Sequence, residues 1–396
     1  MDIKPADRIA SFKPYFFASL NQRLTLLKSQ GVDIIRLDMG SPDLPPADFI
    51  TEILIAEARR SDTHGYTPNG GTSAYRQAIA TYYENRFEVE LDPDREVIGL
   101  IGSKEGLFNL SQVLLNPGDL VFVPDPAYPV YKASGIIAGA EIYEIPLVFE
   151  NAFLPDLDAI PEEIRRKGKL IWLNYPNNPT GAVASMNFLE KVVSYAKHYG
   201  WIIAHDAPYS DVCFGNYHAP SILQIPGAKQ LAIEFNSLSK AYNMAGWRLG
   251  MAVGNPQVIS YLNIYKSQMD SSQFGPMMAA GVKALSGDQT WIQVRNAIYQ
   301  ERRDIVVRCL REGGFKVNTP PAAIYVWAQL PEGEKSSTDF CVSLLEETGV
   351  STTPGIVFGN YGEGYLRISL GTDTTRITEA MQRLVSWVQA RKKKVQ

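Results

Sequence analysis

Short apolar runs recur through the middle of the chain, at 97–101, 120–123, 170–173, 201–204 and 231–235. Runs of this length suit strands buried on both faces. Stretches with helical spacing, such as 188–199, fall between several of them. Strands alternating with helices predict an α/β fold around a parallel sheet. From about residue 285 the pattern changes: long helical stretches at 291–311, 339–348 and 374–391 flank short strands near 324–327 and 365–369. This predicts a smaller α+β unit, completed by the N-terminal segment to about residue 45. Ser41-Pro42-Asp43-Leu44-Pro45-Pro46 reads as a stiff crossing between the two parts.

Length and composition agree with that division. At roughly 150 residues per domain, 396 residues imply two or three units. Hydrophobic residues at 45% and charged residues at 20% exclude a disordered chain and a coiled coil. A net charge of −4 argues against nucleic acid as the main partner. The basic stretch Arg391-Lys392-Lys393-Lys394 reads as a solvated helix end.

Cys213, Cys309 and Cys341 lie far apart, so neither a disulfide framework nor a zinc spacing follows, and a reducing cytoplasm is the expected compartment. Four histidines without a His-Glu-x-x-His pattern argue against a histidine-rich metal site. Residues 1–7 lack a signal peptide's apolar stretch, and no run approaches the ~18 apolar residues of a membrane span.

Polar loops follow four of the predicted strands: Pro124-Asp125-Pro126-Ala127-Tyr128-Pro129, Asn174-Tyr175-Pro176-Asn177-Asn178-Pro179-Thr180-Gly181, His205-Asp206-Ala207-Pro208-Tyr209 and Asn236-Ser237-Leu238-Ser239-Lys240. A parallel sheet gathers such loops at one edge, so a shared crevice is expected. Gly102-Ser103-Lys104-Glu105-Gly106 follows a strand and opens a helix. Its backbone N–H groups suit a phosphate, although a serine before a helix is more often just an N-cap. It is neither a P-loop nor a dinucleotide fingerprint. Ser237-Leu238-Ser239-Lys240 matches the Ser-x-x-Lys pattern of penicillin-binding enzymes, but Ser-Asp-Asn and Lys-Thr-Gly are absent. Lys240 reads either as a solvated loop charge or as a reactive amine; the hydroxyls before it and Arg248 after it favour the second.

The stretch 236–250, Asn-Ser-Leu-Ser-Lys-Ala-Tyr-Asn-Met-Ala-Gly-Trp-Arg-Leu-Gly, resembles the pyridoxal-phosphate lysine segment of class I/II aminotransferases. Asn-Tyr-Pro-Asn-Asn-Pro-Thr-Gly at 174–181 and Asp-x-x-Tyr at 206–209 resemble two further motifs of that family. Segments 64–75, 102–106, 125–128 and 365–369 extend the likeness over nearly the whole chain. The resemblance implies fold type I: a large domain (46–284) with a mostly parallel seven-stranded sheet between helices, and a small domain (1–45 with 285–396) closing over the substrate.

The resemblance also implies roles. Lys240 would carry the cofactor as a Schiff base and shuttle the substrate's Cα proton. Asp206 would pair with the ring nitrogen, Asn178 and Tyr209 would hydrogen-bond the ring's phenolic oxygen, and Tyr128 would stack on the ring. Ser103, Lys104, Ser237, Ser239 and Arg248 would hold the phosphate. Tyr66 would reach the same phosphate across a homodimer interface; by turn chemistry alone it is a core or turn aromatic. Arg367 would grip the substrate's α-carboxylate, although a lone arginine on an alternating strand is more often a surface residue. Tyr15 and Gly40 would lie where the N-terminal segment closes over the substrate, and a plain turn explains Gly40 equally well.

The texture is closest to the LL-diaminopimelate and aspartate aminotransferase-like branch, on 14–17, 40–46, 101–106, 174–181 and 359–365. His64–Gly71 instead resembles the general class I pattern. The expected reaction is ping-pong transfer of an amino group from an amino acid donor to a 2-oxo acid acceptor. The leading pair is LL-diaminopimelate with 2-oxoglutarate, and aspartate or alanine comes next. Lys104 is a candidate partner for a distal carboxylate and Glu105 for a distal ammonium. A carbon–sulfur β-lyase on the same cofactor is the alternative. A cofactor-sensing regulator is a third reading, but about 45 residues before the large domain leave little room for a DNA-binding segment.

Overall fold

The computed structural model describes residues 3–10, 12 and 16–395. Seven strands form the main sheet in the order Val97–Ile101, Leu249–Gly254, Ala232–Ser237, Ile202–Asp206, Gly168–Asn174, Leu120–Asp125, Glu141–Pro146. Leu249–Gly254 runs against both neighbours, and the remaining neighbours pair parallel. The α/β expectation with a mostly parallel seven-stranded sheet therefore holds.

Alternate side chains explain why the inner strands are continuously apolar. Phe122, Ile171 and Leu173 enter one buried cluster, whereas Val121, Val123, Leu170 and Trp172 enter another on the opposite face. Helices cover both faces, and their ends are marked locally. Ser185 caps the Met186–Tyr199 helix by accepting from Phe188 N, and Gly200 ends it at φ +77°.

Two strands escape the apolar pattern. Glu141–Pro146 lies at an edge and carries two glutamates, and Leu249–Gly254 holds two glycines. An edge strand has less need of apolar side chains, because one flank faces solvent.

The C-terminal part carries a second, antiparallel sheet in the order Thr353–Pro354, Tyr365–Ser369, Tyr325–Gln329, Lys316–Val317. The helices Thr290–Glu312, Ser337–Thr348 and Thr374–Val395 pack around it, burying Val306, Leu344, Ile377 and Leu384 in one core. Ile35–Arg36 pairs parallel with Val350–Ser351, which ties the N-terminal segment to this part. Among the described residues, no helix is long and apolar enough to cross a membrane.

Candidate active site

The loops at the carboxyl ends of the main sheet meet the strand Tyr365–Ser369 and the segment around Gly40 at a cavity of about 330 Å³. Its walls bring together Gly40, Ser103, Lys104, Tyr128, Asn178, Asp206, Tyr209, Ser237, Ser239, Lys240, Arg248 and Arg367. Of the residues singled out in the sequence, Tyr66 and Glu105 stand apart and Tyr15 lies outside the described residues.

Asp206 ends its strand on the cavity side. Its Oδ2 accepts from the Tyr131 hydroxyl at 2.5 Å, while its buried Oδ1 has no hydrogen-bond partner. Burial pushes its carboxyl up to about 7, against smaller opposing effects of Tyr131 and His205. Asn174, at the end of the neighbouring strand, donates from Nδ2 to the Asp206 carbonyl at 2.7 Å. Its Oδ1 accepts from the Asn178 backbone N–H at 2.7 Å. One asparagine thereby ties the 174–181 loop to the Asp206 strand.

Lys240 lies in the short helix Leu238–Ala241, directly after its strand, and donates to the Gly40 carbonyl. Burial holds its ammonium below the usual lysine range; Arg367 and Arg248 add to this, and Tyr325 opposes it. The Tyr209 and Tyr325 hydroxyls lie 2.9 Å apart, and Tyr325 also reaches the Gly40 carbonyl at 3.4 Å. A side chain at position 40 would collide with the Tyr325 hydroxyl. Close approach therefore explains that glycine better than a turn does.

The anion-binding end is built around Gly102, at φ +71° before the helix Ser103–Leu114. A Cβ there would run into the Arg248 guanidinium, so glycine lets Arg248 lie across the helix start. Arg248 donates to the Ala245 carbonyl at 2.9 Å and approaches Ser239 Oγ at 3.5 Å. Ser237 caps the lysine-bearing helix by accepting from Ser239 N at 3.2 Å. Exposed N–H groups, hydroxyls and a guanidinium converge here, as a phosphate dianion requires.

Arg367 is 3% exposed, so the surface reading fails. Nη1 donates to Asn178 Oδ1 and Nη2 to the Asp38 carbonyl, both at 2.8 Å, and Nε has no partner. Its guanidinium lies 4.3 Å from the Tyr325 ring centre and 4.7 Å from that of Phe358. Among the described residues, no carboxylate comes within ion-pair distance of it. A buried cation facing a cavity without a counter-ion is a strong site for a carboxylate.

One expectation needs correction, and one reading of Tyr66 falls. Glu105 does not line the cavity: Lys266 donates to both of its oxygens at 3.0 Å, and one oxygen caps Ile101 N. This first-turn acid is sealed in a buried pair rather than offered to a ligand. Tyr66 is 95% exposed, which removes the core reading and leaves it outside this chain's own cavity. The sequence reading missed Tyr131, Asn174 and Tyr325. Tyr131 follows Tyr128 by three residues across the start of a helix, where the two rings meet edge to face, and that short spacing was the available signal.

The sequence profile described as aminotransferase class I and II matches residues 32–384. The LL-diaminopimelate aminotransferase of Moorella thermoacetica is 47% identical over 382 residues, covering 96% of this chain and 98% of that one. The enzyme of the same name from Aquifex aeolicus is 45% identical over 379 residues, covering 96% and 98%. Among solved structures, substrate-bound BacF from Bacillus subtilis superposes with a TM-score of 0.93 at 36% identity, covering 98% of each chain. An aspartate aminotransferase double mutant from Thermus thermophilus gives 0.91 at 27% identity, covering 97% and 100%. With this cavity and these relatives, the chain is a pyridoxal-phosphate-dependent enzyme and belongs to the class I and II aminotransferases.

Proposed function

We propose that Lys240, Asp206 and Arg367 divide the work of transamination in this cavity, with LL-diaminopimelate as the physiological donor and 2-oxoglutarate as the acceptor. Two features fit pyridoxal phosphate: the partnerless Oδ1 of Asp206, and the Gly102–Arg248 cradle that a Cβ would fill. When bound, the cofactor withdraws electrons from the substrate's Cα. Ser103, Lys104, Ser237, Ser239 and Arg248 would hold its phosphate, and Tyr128 would stack on its ring.

Asp206 would hold a proton on the ring nitrogen through Oδ1, and Asn178 and Tyr209 would hydrogen-bond the ring's phenolic oxygen. Lys240 would anchor the cofactor covalently and afterwards move the substrate's Cα proton. Burial helps here, because a lowered ammonium pKa yields more neutral amine near neutral pH. Arg367 binds the α-carboxylate, aligning the Cα–H bond, and Gly40 backs the substrate from the N-terminal side. Amino acid donor and 2-oxo acid acceptor use this machinery in turn.

The active unit is a homodimer in which Tyr66 serves the partner's phosphate site; its near-complete exposure supports this. Residues 46–284 act as the cofactor-binding part, and 1–45 with 285–396 as the part closing over the substrate. The pairing of Ile35–Arg36 with Val350–Ser351 supports that division. Three free thiols suit a reducing cytoplasm. The donor assignment, and with it a place in lysine biosynthesis, draws on the relatives named LL-diaminopimelate aminotransferase. The β-lyase alternative draws no support from them.

One observation carries the chemistry: Arg367, buried without a counter-ion, faces the same cavity as Lys240. Borohydride reduction of cofactor-loaded protein should mark a single peptide containing Lys240. A label elsewhere rejects the assignment. In a donor panel against 2-oxoglutarate with LL- and meso-diaminopimelate, aspartate, alanine and an aromatic amino acid, LL-diaminopimelate should give the highest kcat/KM. A faster competitor overturns the donor and leaves the chemistry standing.

A further inference from the structure

Arg295 sits in the second turn of the Thr290–Glu312 helix and is only 2% exposed. Its Nη1 donates to the carbonyl of Lys240 at 2.7 Å and to that of Ala241. Its Nη2 donates to the carbonyl of Asp211 at 2.8 Å and to Asn296 Oδ1 at 2.7 Å. Asn296 supports the same point, donating from Nδ2 to the Asp211 carbonyl at 2.9 Å. The rings of Trp291 and Tyr299 lie 5.5 and 6.0 Å from the guanidinium. No carboxylate among the described residues forms an ion pair with it.

A buried cation without a counter-ion is costly, and an apolar residue could fill the same volume. What distinguishes Arg295 is the choice of acceptors. The helix bearing Lys240 is one turn long, so its last carbonyls lack partners within the helix, and a cation is favoured at that end. The third acceptor, Asp211, ends the loop that begins with Asp206 and Tyr209. Asp211 is itself pinned, because its carboxylate accepts from Tyr82 at 2.6 Å and Arg86 at 2.9 Å. A planar fork is well suited to hold two segments at a fixed spacing.

We propose that Arg295 is a positioning residue that sets the register between Lys240 and the Asp206 loop. This rests on the reading of Lys240 and Asp206 as the cofactor's anchor and ring partner. It touches neither cofactor nor substrate. A displacement of about 1 Å at the amine is enough to cost on the order of 10²-fold in rate.

The test compares Arg295→Gln, Arg295→Lys and Asn296→Ala as holoenzymes with wild type. In Arg295→Gln, kcat should fall on the order of 10²-fold while the donor KM changes less than about threefold. Arg295→Lys should recover part of that loss, and Asn296→Ala should lose several-fold. The pH at which the cofactor's visible band titrates should shift in all three, which a purely structural defect leaves in place once the holoenzyme has formed. Wild-type kcat and titration in Arg295→Gln overturn the proposal. If that variant does not fold, wild-type behaviour of both Arg295→Lys and Asn296→Ala overturns it. Borohydride labelling keeps the two readings apart: a wild-type label away from Lys240 defeats the cofactor assignment, whereas a label on Lys240 with unaffected variants defeats only the positioning role.

Discussion

Asp206 and Glu234 are both buried carboxylates on adjacent strands, yet the fold treats them oppositely. Glu234 accepts from Tyr83 at 2.9 Å, from Ser221 Oγ at 2.9 Å to each oxygen, from Ile222 N at 3.0 Å, and meets His205 Nδ1 at 2.9 Å. Asp206 has Tyr131 on one oxygen and nothing on the other. Two buried arginines repeat the contrast. Arg302 forks onto Asp43 and the Leu370 carbonyl, whereas Arg367 meets an amide and a carbonyl and keeps a partnerless Nε. Folding favours complete satisfaction of buried polar groups. Asp206 Oδ1 and Arg367 Nε are two incomplete groups on residues that face one cavity, and they mark where a ligand supplies the missing partner.

Paired substitutions put that contrast to its hardest test. Asp206→Asn should lower kcat/KM on the order of 10³-fold, since a neutral amide does not stabilise a charged ring nitrogen. The cofactor-free fold should lose little, because the oxygen removed has no partner. Glu234→Gln should do the reverse: about 2 kcal/mol of stability lost, as amide hydrogens face donors, with activity within a few-fold of wild type. Equal losses of activity in the two variants would erase the distinction between frame and site.

The same contrast predicts a pH effect on the cofactor-free protein. Burial raises the Asp206 carboxyl to about 7 in the fold, against the ordinary aspartate value of 3.8 when unfolded. Between those values the folded chain binds more protons, so its stability falls as pH rises through that window. The slope should reach a few kcal/mol over the window, and Asp206→Asn should flatten it. Cofactor should also flatten it, by placing a cation beside the carboxylate. Thermal unfolding of cofactor-free protein between pH 5 and 8 reads this directly; a slope unchanged in Asp206→Asn assigns it to other groups.

The sequence was most legible where site residues sit in contiguous strand-end loops: 124–129, 174–181, 205–209 and 236–240 each place their groups by chain continuity. It was least legible where the partner is remote. Tyr325 meets Tyr209 across 116 residues, and Lys266 seals Glu105 across 161. Neither contact has a local pattern, because sheet order and helix docking create both. Arg295 was invisible for the same reason: on a helical stretch it is one of several arginines, and only packing shows that its acceptors are the Lys240 and Asp211 carbonyls. Gly40 shows the intermediate case, since the residue was noticed but its reason, the Tyr325 hydroxyl, needed the tertiary structure.

Tyr325 stands on the border between the satisfied frame and the unsatisfied site, so its effect should be the smallest. Its hydroxyl meets that of Tyr209 at 2.9 Å, and its ring lies beneath Arg367. Tyr325→Phe keeps the ring and removes the bond to Tyr209 and the long contact to the Gly40 carbonyl, together worth about 1 kcal/mol, so kcat should fall roughly fivefold. The donor KM should stay near wild type, because the aromatic face under the guanidinium survives. Tyr325→Ala removes both and should raise KM as well. If Tyr325→Phe already raises KM as Tyr325→Ala does, the hydroxyl helps to bind the carboxylate, and Tyr325 moves from the frame into the site.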